Sequence, residues 1–139
     1  MNNPLVSVCL ITYNQENYIQ KAIKSIFDQE VGFPIEVIIS NDCSSDNTHQ
    51  KIEEILKDAT NGFVVRYYNH EDNLGMMRNF SFAINECKGK YIAYFEGDDY
   101  CKCFETQNCS LRKFYSMMQN SLENMLKATM IKDVLDINK

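Results

Sequence analysis

Four short apolar runs, each parted from the next by one stretch of helical periodicity, constrain this chain more than any other feature. The first, residues 5–11 (LVSVCLI), is almost continuously apolar, as a strand covered on both faces must be. Tyr18, Ile19, Ala22, Ile23, Ile26 and Phe27 then recur at helical spacing, which predicts a helix over 16–29 ended by Gly32 and Pro34. The helical aromatics Tyr18 and Phe27 read as core. Residues 35–40 (IEVIIS) form the second run, followed by SSDNT with its helix-capping side chains and a helix carrying Ile52, Ile55, Leu56 and Ala59. Residues 63–68 (FVVRYY) and 91–95 (YIAYF) are the third and fourth runs. Between them lie the polar loop NHEDNLG and a helix whose apolar positions are Met77, Phe80, Ile84 and Cys87. The order β-α-β-α-β-α-β predicts an α/β fold: a parallel sheet with right-handed crossovers and helices on its faces.

The polar residues gather where such a sheet binds ligands, beyond the carboxyl ends of the strands. The first strand ends in Thr12, Tyr13 and Asn14, the second in Ser40, Asn41 and Asp42, and the fourth in Glu96, Gly97, Asp98 and Asp99. With a strand order 3-2-1-4, the first and fourth ends share the crevice at the switch point. Each ending has a bland reading by itself. Thr-Tyr-Asn is a common turn, NDCSSDNT caps a helix, and EGDD suits a solvated loop. Their common placement is what points to a site. Three carboxylates within four residues repel one another unless a cation sits among them.

Composition narrows the function classes. A net charge of −5 over 139 residues offers no basic footprint for nucleic acid. The apolar stretch at the start is too short to span a bilayer and lacks a basic leader, so the expected location is cytoplasmic with no membrane span. Six cysteines are present, and in that compartment they read as free thiols. Cys9 and Cys87 fall in apolar periodic positions, whereas Cys101, Cys103 and Cys109 lack the paired spacing of a structural zinc site.

The segments VSVCLITYNQENYIQKAIKSIFDQ, IEVIISNDCSSDNT, NLG with RN at Arg78–Asn79, and GKYIAYFEGDDY, in this order and spacing, resemble the inverting GT-A glycosyltransferases of family 2. The resemblance covers residues 5–100. It implies a Rossmann-like GT-A sheet in residues 1–100 that binds a nucleotide-sugar donor, most often a UDP-sugar. The sugar would pass, with inversion, to a glycan or lipid-linked acceptor. Glu96-Gly97-Asp98 resembles the family's D-x-D motif, which holds Mn²⁺ or Mg²⁺ against the donor diphosphate. Asp98 and Asp99 are then the expected metal residues, with Glu96 near the ribose. By the same carry-over Tyr13 flanks the uracil ring, and Thr12 and Asn14 shape the pocket. Asp42 accepts a hydrogen bond from the base, Asn41 stands where the family often has another Asp, and Arg78 lies near the base or diphosphate.

The resemblance stops at Tyr100. The family's general base and acceptor pocket come later in the domain, and residues 101–139 carry nothing like that later motif. Asp133 and Asp136 suit the polar face of a terminal helix. Residues 101–139 are accordingly expected to be a helical tail; a truncated or frame-shifted chain is favoured over a natural divergent tail, and no catalytic base is expected in it. Two further readings stand beside the glycosyltransferase. One is a non-catalytic nucleotide-sugar-binding module. The other is a nucleotidyltransferase, which would show a Gly-rich basic phosphate loop after the first strand, whereas TYNQENY is neither.

Overall fold

The computed structural model describes residues 3–57 and 62–98. These residues belong to one compact unit, Met1–Cys101. Asp99, Ala59 and the expected helical tail lie outside the described residues.

Seven elements alternate as expected: β1 (Val6–Thr12), α1 (Ile19–Phe27), β2 (Ile35–Asn41), α2 (Thr48–Lys57), β3 (Val64–Asn69), α3 (Met76–Glu86) and β4 (Tyr91–Glu96). The four strands form one parallel sheet in the order β3-β2-β1-β4. Every residue of β1 and β2 is buried, whereas β3 and β4, at the edges, are only partly covered. The two central strands are thus the ones whose sequences run apolar without alternation. Backbone bonds carry the ladders one step past the strands. The Asp42 N–H donates to the Thr12 carbonyl at 3.0 Å, His70 N–H to Asn41 at 3.0 Å, and Gly97 N–H to Ile11 at 2.9 Å. The first residues beyond β2, β3 and β4 are therefore held in register with their neighbours.

Helix α1 begins later than its periodicity predicts. The Tyr18 and Ile19 N–H groups both bond the Gln15 carbonyl, so 15–18 is a turn and Ile19 takes the first inward position. Tyr18, read as core, is 53% exposed, while Phe27 is buried and stacks on Phe63. In α3 the inward face is centred on Asn79 and Ala83, with Phe80, Ile84 and Cys87 flanking it against Cys9, Ile11 and Ile38. Met77, read as part of the apolar face, is turned outward and 69% exposed. The apolar pattern missed this rotation because an asparagine occupies the centre of the buried face.

A polar network secures the amino ends of the strands. Glu36, the second residue of the buried strand β2, is 3% exposed. Its Oε1 accepts from the Ser7 hydroxyl and the Lys88 N–H, both at 2.5 Å, and its Oε2 from Arg66 Nη2 at 2.7 Å. Arg66 also donates to the Glu86 carboxylate and carbonyl, and the Tyr68 hydroxyl to the same carboxylate. Burial pushes the Glu36 pKa up, but the bonds from Ser7, Lys88 and Arg66 outweigh it and leave the carboxyl below its ordinary range. Gly89 lies against this network. Its N–H bonds Ser7 Oγ at 2.8 Å, and a Cβ there would come within 2.5 Å of the Ser7 backbone nitrogen.

Candidate nucleotide-binding site

At the carboxyl end of the sheet, an open cavity of about 310 Å³ is lined by Ile11, Thr12, Tyr13, Gln15, Asp42, Asn73, Gly75, Met76, Asn79 and Glu96. That is within the range of small-molecule sites. It gathers the ends of β1, β2 and β4, as the switch-point argument requires. Ile11, Tyr13 and Met76 give it apolar surface, and its polar residues mostly hold one another.

Asp42 is the clearest case. It is 2% exposed, and each carboxylate oxygen already accepts a backbone N–H: Leu74 on Oδ1 at 2.6 Å and Gly75 on Oδ2 at 3.0 Å. Asn73 Nδ2 returns a bond to the Asp42 carbonyl at 3.0 Å. This folds the 73–75 loop over the end of β2. Gly75 starts α3 at φ 82°, in the left-handed region where glycine is unstrained. Four residues on, Asn79 is 2% exposed and clamps α3 to β2. Its Oδ1 accepts from the Ser40 hydroxyl at 2.5 Å and its Nδ2 donates to the Ser40 carbonyl at 3.2 Å.

The β1 and β2 endings are clasped to each other. Asn14 N–H donates to Ser44 Oγ at 2.9 Å, and Asn14 Oδ1 accepts from the Ser45 N–H at 2.8 Å. Gln15 N–H donates to Thr48 Oγ1 at 2.8 Å, and Glu16 N–H to Asp46 Oδ2 at 3.1 Å. Glu16 Oε2 accepts from Asn47 N–H at 3.0 Å. Asp46 also accepts from the Thr48 N–H and hydroxyl just ahead of α2. Burial raises its pKa, but these bonds win and lower it. A charged cap is favourable there because a helix N-terminus carries partial positive charge.

The third ending closes tightly on the first. A Cβ on Gly97 would meet Thr12 Oγ1 at 2.5 Å, Thr12 Cβ at 2.9 Å and Gln15 Oε1. Gln15 Oε1 is held there by the Thr12 hydroxyl at 2.7 Å. Glycine is required at 97 by space. Glu96 is partly buried and takes a bond from the Tyr94 hydroxyl at 2.8 Å, and Asp98 is exposed just beyond.

Of the residues singled out in the sequence, Thr12, Tyr13, Asp42 and Glu96 thus come together on the cavity. Asn14, which is exposed, and Asn41 are not among the lining residues. Asn41 is fully buried, its amide bonded to Asn69 and its oxygen to the Ser44 hydroxyl. Arg78 is exposed on α3 and is not among the lining residues. Gln15, Asn73, Gly75, Met76 and Asn79 line the cavity without having been assigned a role. Three of them fall in the quoted NLG and RN segments. Among the described residues no three His, Cys, Asp or Glu side chains gather as a metal cluster.

Residues 7–103 match the model of glycosyl transferase family 2. The chain belongs to this family. Abequosyltransferase RfbV of Salmonella typhimurium is 34% identical over 96 residues, 68% of this chain and 28% of the relative. The crystal structure of S. aureus TarS 1-349 in complex with UDP is 30% identical, with a TM-score of 0.58, over 68% of this chain and 28% of that one. The fold is also that of mannosyltransferase PcManGT from Pyrobaculum calidifontis, solved with GDP-Man and Mn²⁺, at 18% identity and a TM-score of 0.63 over 73% and 30% of the two chains. The chain therefore spans less than a third of the length of these relatives. What it shares with these structures is the GT-A sheet. Among its described residues no helix is long and apolar enough to cross a membrane.

Proposed function

We propose that this chain is the donor-binding half of a metal-dependent, inverting glycosyltransferase. That enzyme takes a sugar from a nucleotide-sugar, with a UDP-sugar the first choice, to a glycan or lipid-linked acceptor. The observation that carries the reading is the cavity at the switch point, with Tyr13, Asp42 and Glu96 on its walls. It is supported by family membership and by the UDP in the TarS complex. Residues 1–100 are the donor half, with 101–139 a separate tail. The free thiols of Cys9, Cys43 and Cys87 suit a reducing, cytoplasmic compartment.

Each wall has a part. Tyr13, half exposed at the cavity, offers its ring to the uracil face. Thr12 and Gln15 form the floor beneath it. Asp42 shapes the base end by holding the 73–75 loop, and its remaining lone pairs can accept from the base. Glu96 faces the ribose. Arg78 stands outside this wall and would act only on a longer ligand. The carboxylates at the end of β4 suit a divalent cation shared with a diphosphate: Mg²⁺-type sites are completed by substrate phosphates and water around one or two carboxylates, not by an all-protein cage. Asp98 and Asp99 would hold Mn²⁺ or Mg²⁺, which supplies charge neutralisation for the departing nucleoside diphosphate. The general base belongs to the part of the enzyme that the family places after this half.

Calorimetry with UDP and GDP, in Mn²⁺, Mg²⁺ or EDTA, tests the proposal. UDP should bind, more tightly with metal than in EDTA, and Asp98→Ala should weaken binding in Mn²⁺ far more than in EDTA. Absence of heat from both nucleotides in Mn²⁺ would sink donor binding. Equal losses with and without metal would sink the metal assignment alone.

A further inference from the structure

We propose that Asn14 is a positioning residue that aims Tyr13 into the cavity, and that the clasp between the β1 and β2 endings exists to hold it so. This rests on the nucleotide-binding reading of the cavity. It assigns Asn14 a role that differs from touching the ligand.

Tyr13 and Asn14 are the only residues between the last residue of β1 and the turn that leads into α1. Thr12 is fixed by its carbonyl bond to Asp42 N–H at 3.0 Å. On the other side, Gln15 is fixed by its own N–H on Thr48 Oγ1 and by its carbonyl, which accepts from Tyr18 and Ile19. Tyr13 itself is 50% exposed, so the conformation of its chain neighbours directs its ring more than packing does. Asn14 adopts φ 51°, in the left-handed region that few side chains tolerate and Asn tolerates best after Gly.

Serines hold that conformation from two sides. Asn14 N–H reaches Ser44 Oγ at 2.9 Å, and Asn14 Oδ1 takes the Ser45 N–H at 2.8 Å and the Ser45 hydroxyl at 3.3 Å. Ser44 is itself oriented by donating its hydroxyl to the buried Asn41 at 2.5 Å. A continuous chain of bonds therefore runs from the core of β2 to the residue after Tyr13. The Asn14 oxygen is occupied by Ser45, and Asn14 is absent from the cavity wall although both neighbours line it. Asn14 is exposed beside the cavity without lining it, so it is placed to act on a ligand there through Tyr13 or Gln15. Gln15 is independently tied to Thr12 and Thr48, which leaves Tyr13 as the residue Asn14 controls.

The test is a double-mutant cycle read by calorimetry with UDP in Mn²⁺, on the full chain. Tyr13→Ala should weaken UDP about tenfold, the loss of one stacked base. Asn14→Ala should weaken it about fivefold or more, and adding it to Tyr13→Ala should cost less than about twofold further, because coupled residues are not additive. Asn14→Asp keeps the acceptor for Ser45 and the tolerance of positive φ, and should stay within about twofold of wild type. Ser44→Ala, which removes the other half of the grip, provides a second route to the same non-additivity should Asn14→Ala fail to fold. Multiplicative losses in the cycle would overturn the proposal, as would Asn14→Asp binding as weakly as Asn14→Ala, which would point to the amide touching the ligand. A wild-type chain with no affinity for UDP would overturn the cavity reading and this one with it, whereas additivity in a chain that binds UDP overturns this one alone.

Discussion

Arg66→Met removes the cation from the network at the amino ends of the strands. Glu36 then retains the Ser7 hydroxyl and the Lys88 N–H on Oε1, but Oε2 loses its 2.7 Å partner while 3% exposed. Stranding a buried charge costs about 3–5 kcal/mol in a dry site. Arg66 is 24% exposed, so water reaches part of the vacated space, and a loss of about 2–3 kcal/mol is the better figure. For a domain of this size that lowers the melting temperature by about 10–20 °C. Linkage adds a sign. Burial works against the Glu36 charge, and the bonds that overcome it hold its folded pKa below the ordinary glutamate value. In the wild type its contribution is therefore complete at neutral pH and is lost as pH falls through that lowered pKa. In Arg66→Met the Ser7 and Lys88 bonds remain but the cation's bond and charge are gone, so the balance shifts toward the protonated form, and protonation relieves the buried charge. The gap between the two proteins should narrow as pH is lowered from 7 toward 4.5. Urea unfolding followed by circular dichroism at both pH values measures it. Glu36→Gln in the Arg66→Met background should recover stability at pH 7, since Gln keeps an acceptor for Ser7 and Lys88 without the charge. A gap that is constant with pH, or a double variant no more stable than Arg66→Met, refutes the reasoning.

Gly97→Ala drives a methyl against Thr12 and Gln15, and should cost about 1–3 kcal/mol in urea unfolding together with UDP affinity, with Gln15→Ala giving only partial relief because Thr12 belongs to β1. Asp42→Asn turns an amide N–H toward one of two backbone donors, and should cost about 1–3 kcal/mol while weakening UDP equally in Mn²⁺ and EDTA. Gly75→Ala forces a side chain into φ 82°, a strain of about 1–2 kcal/mol visible as a lower melting temperature, although open space surrounds the new methyl.

The sheet was legible because the central strands, buried on both faces, leave near-continuous apolar runs, and helical periodicity separates all four runs from one another. The order β3-β2-β1-β4 was the condition under which the polar endings of the first and fourth strands share one crevice, and the structure has that order. The site was legible as a place more than as a set of roles. Glu36 and Asn79 are polar residues on buried faces, and a hydropathy pattern reads such residues as solvent-facing or as blemishes. Their partners lie in other elements, Arg66 and Ser7 for the first and Ser40 for the second, so no local window contains the reason for their burial. Tyr18 and Met77 failed in the opposite direction. Both are apolar residues at helix starts, where the first turn has not yet committed its face to the core.

The two ends of this sheet use polar side chains in contrasting ways, and the contrast bears on where binding energy can come from. At the amino ends, Glu36, Arg66, Glu86, Tyr68 and Ser7 satisfy one another, and the result is a staple between the α3–β4 turn and three strands. At the carboxyl ends, Asn14, Ser44, Ser45, Asp46 and Thr48 do the same between two loops. These include most of the residues that make the signature TYNQE and SSDNT stand out in the sequence. If they hold the frame, a ligand is left with the few groups the frame points inward: the Tyr13 ring, the outer lone pairs of Asp42, and the carboxylates after β4. Preorganised walls of this kind lose little freedom on binding, so even a small contact set can give useful affinity. It follows that changes in the clasp should alter nucleotide affinity through geometry and changes on the wall through contact. The double-mutant cycle at Asn14 and Tyr13 separates these two.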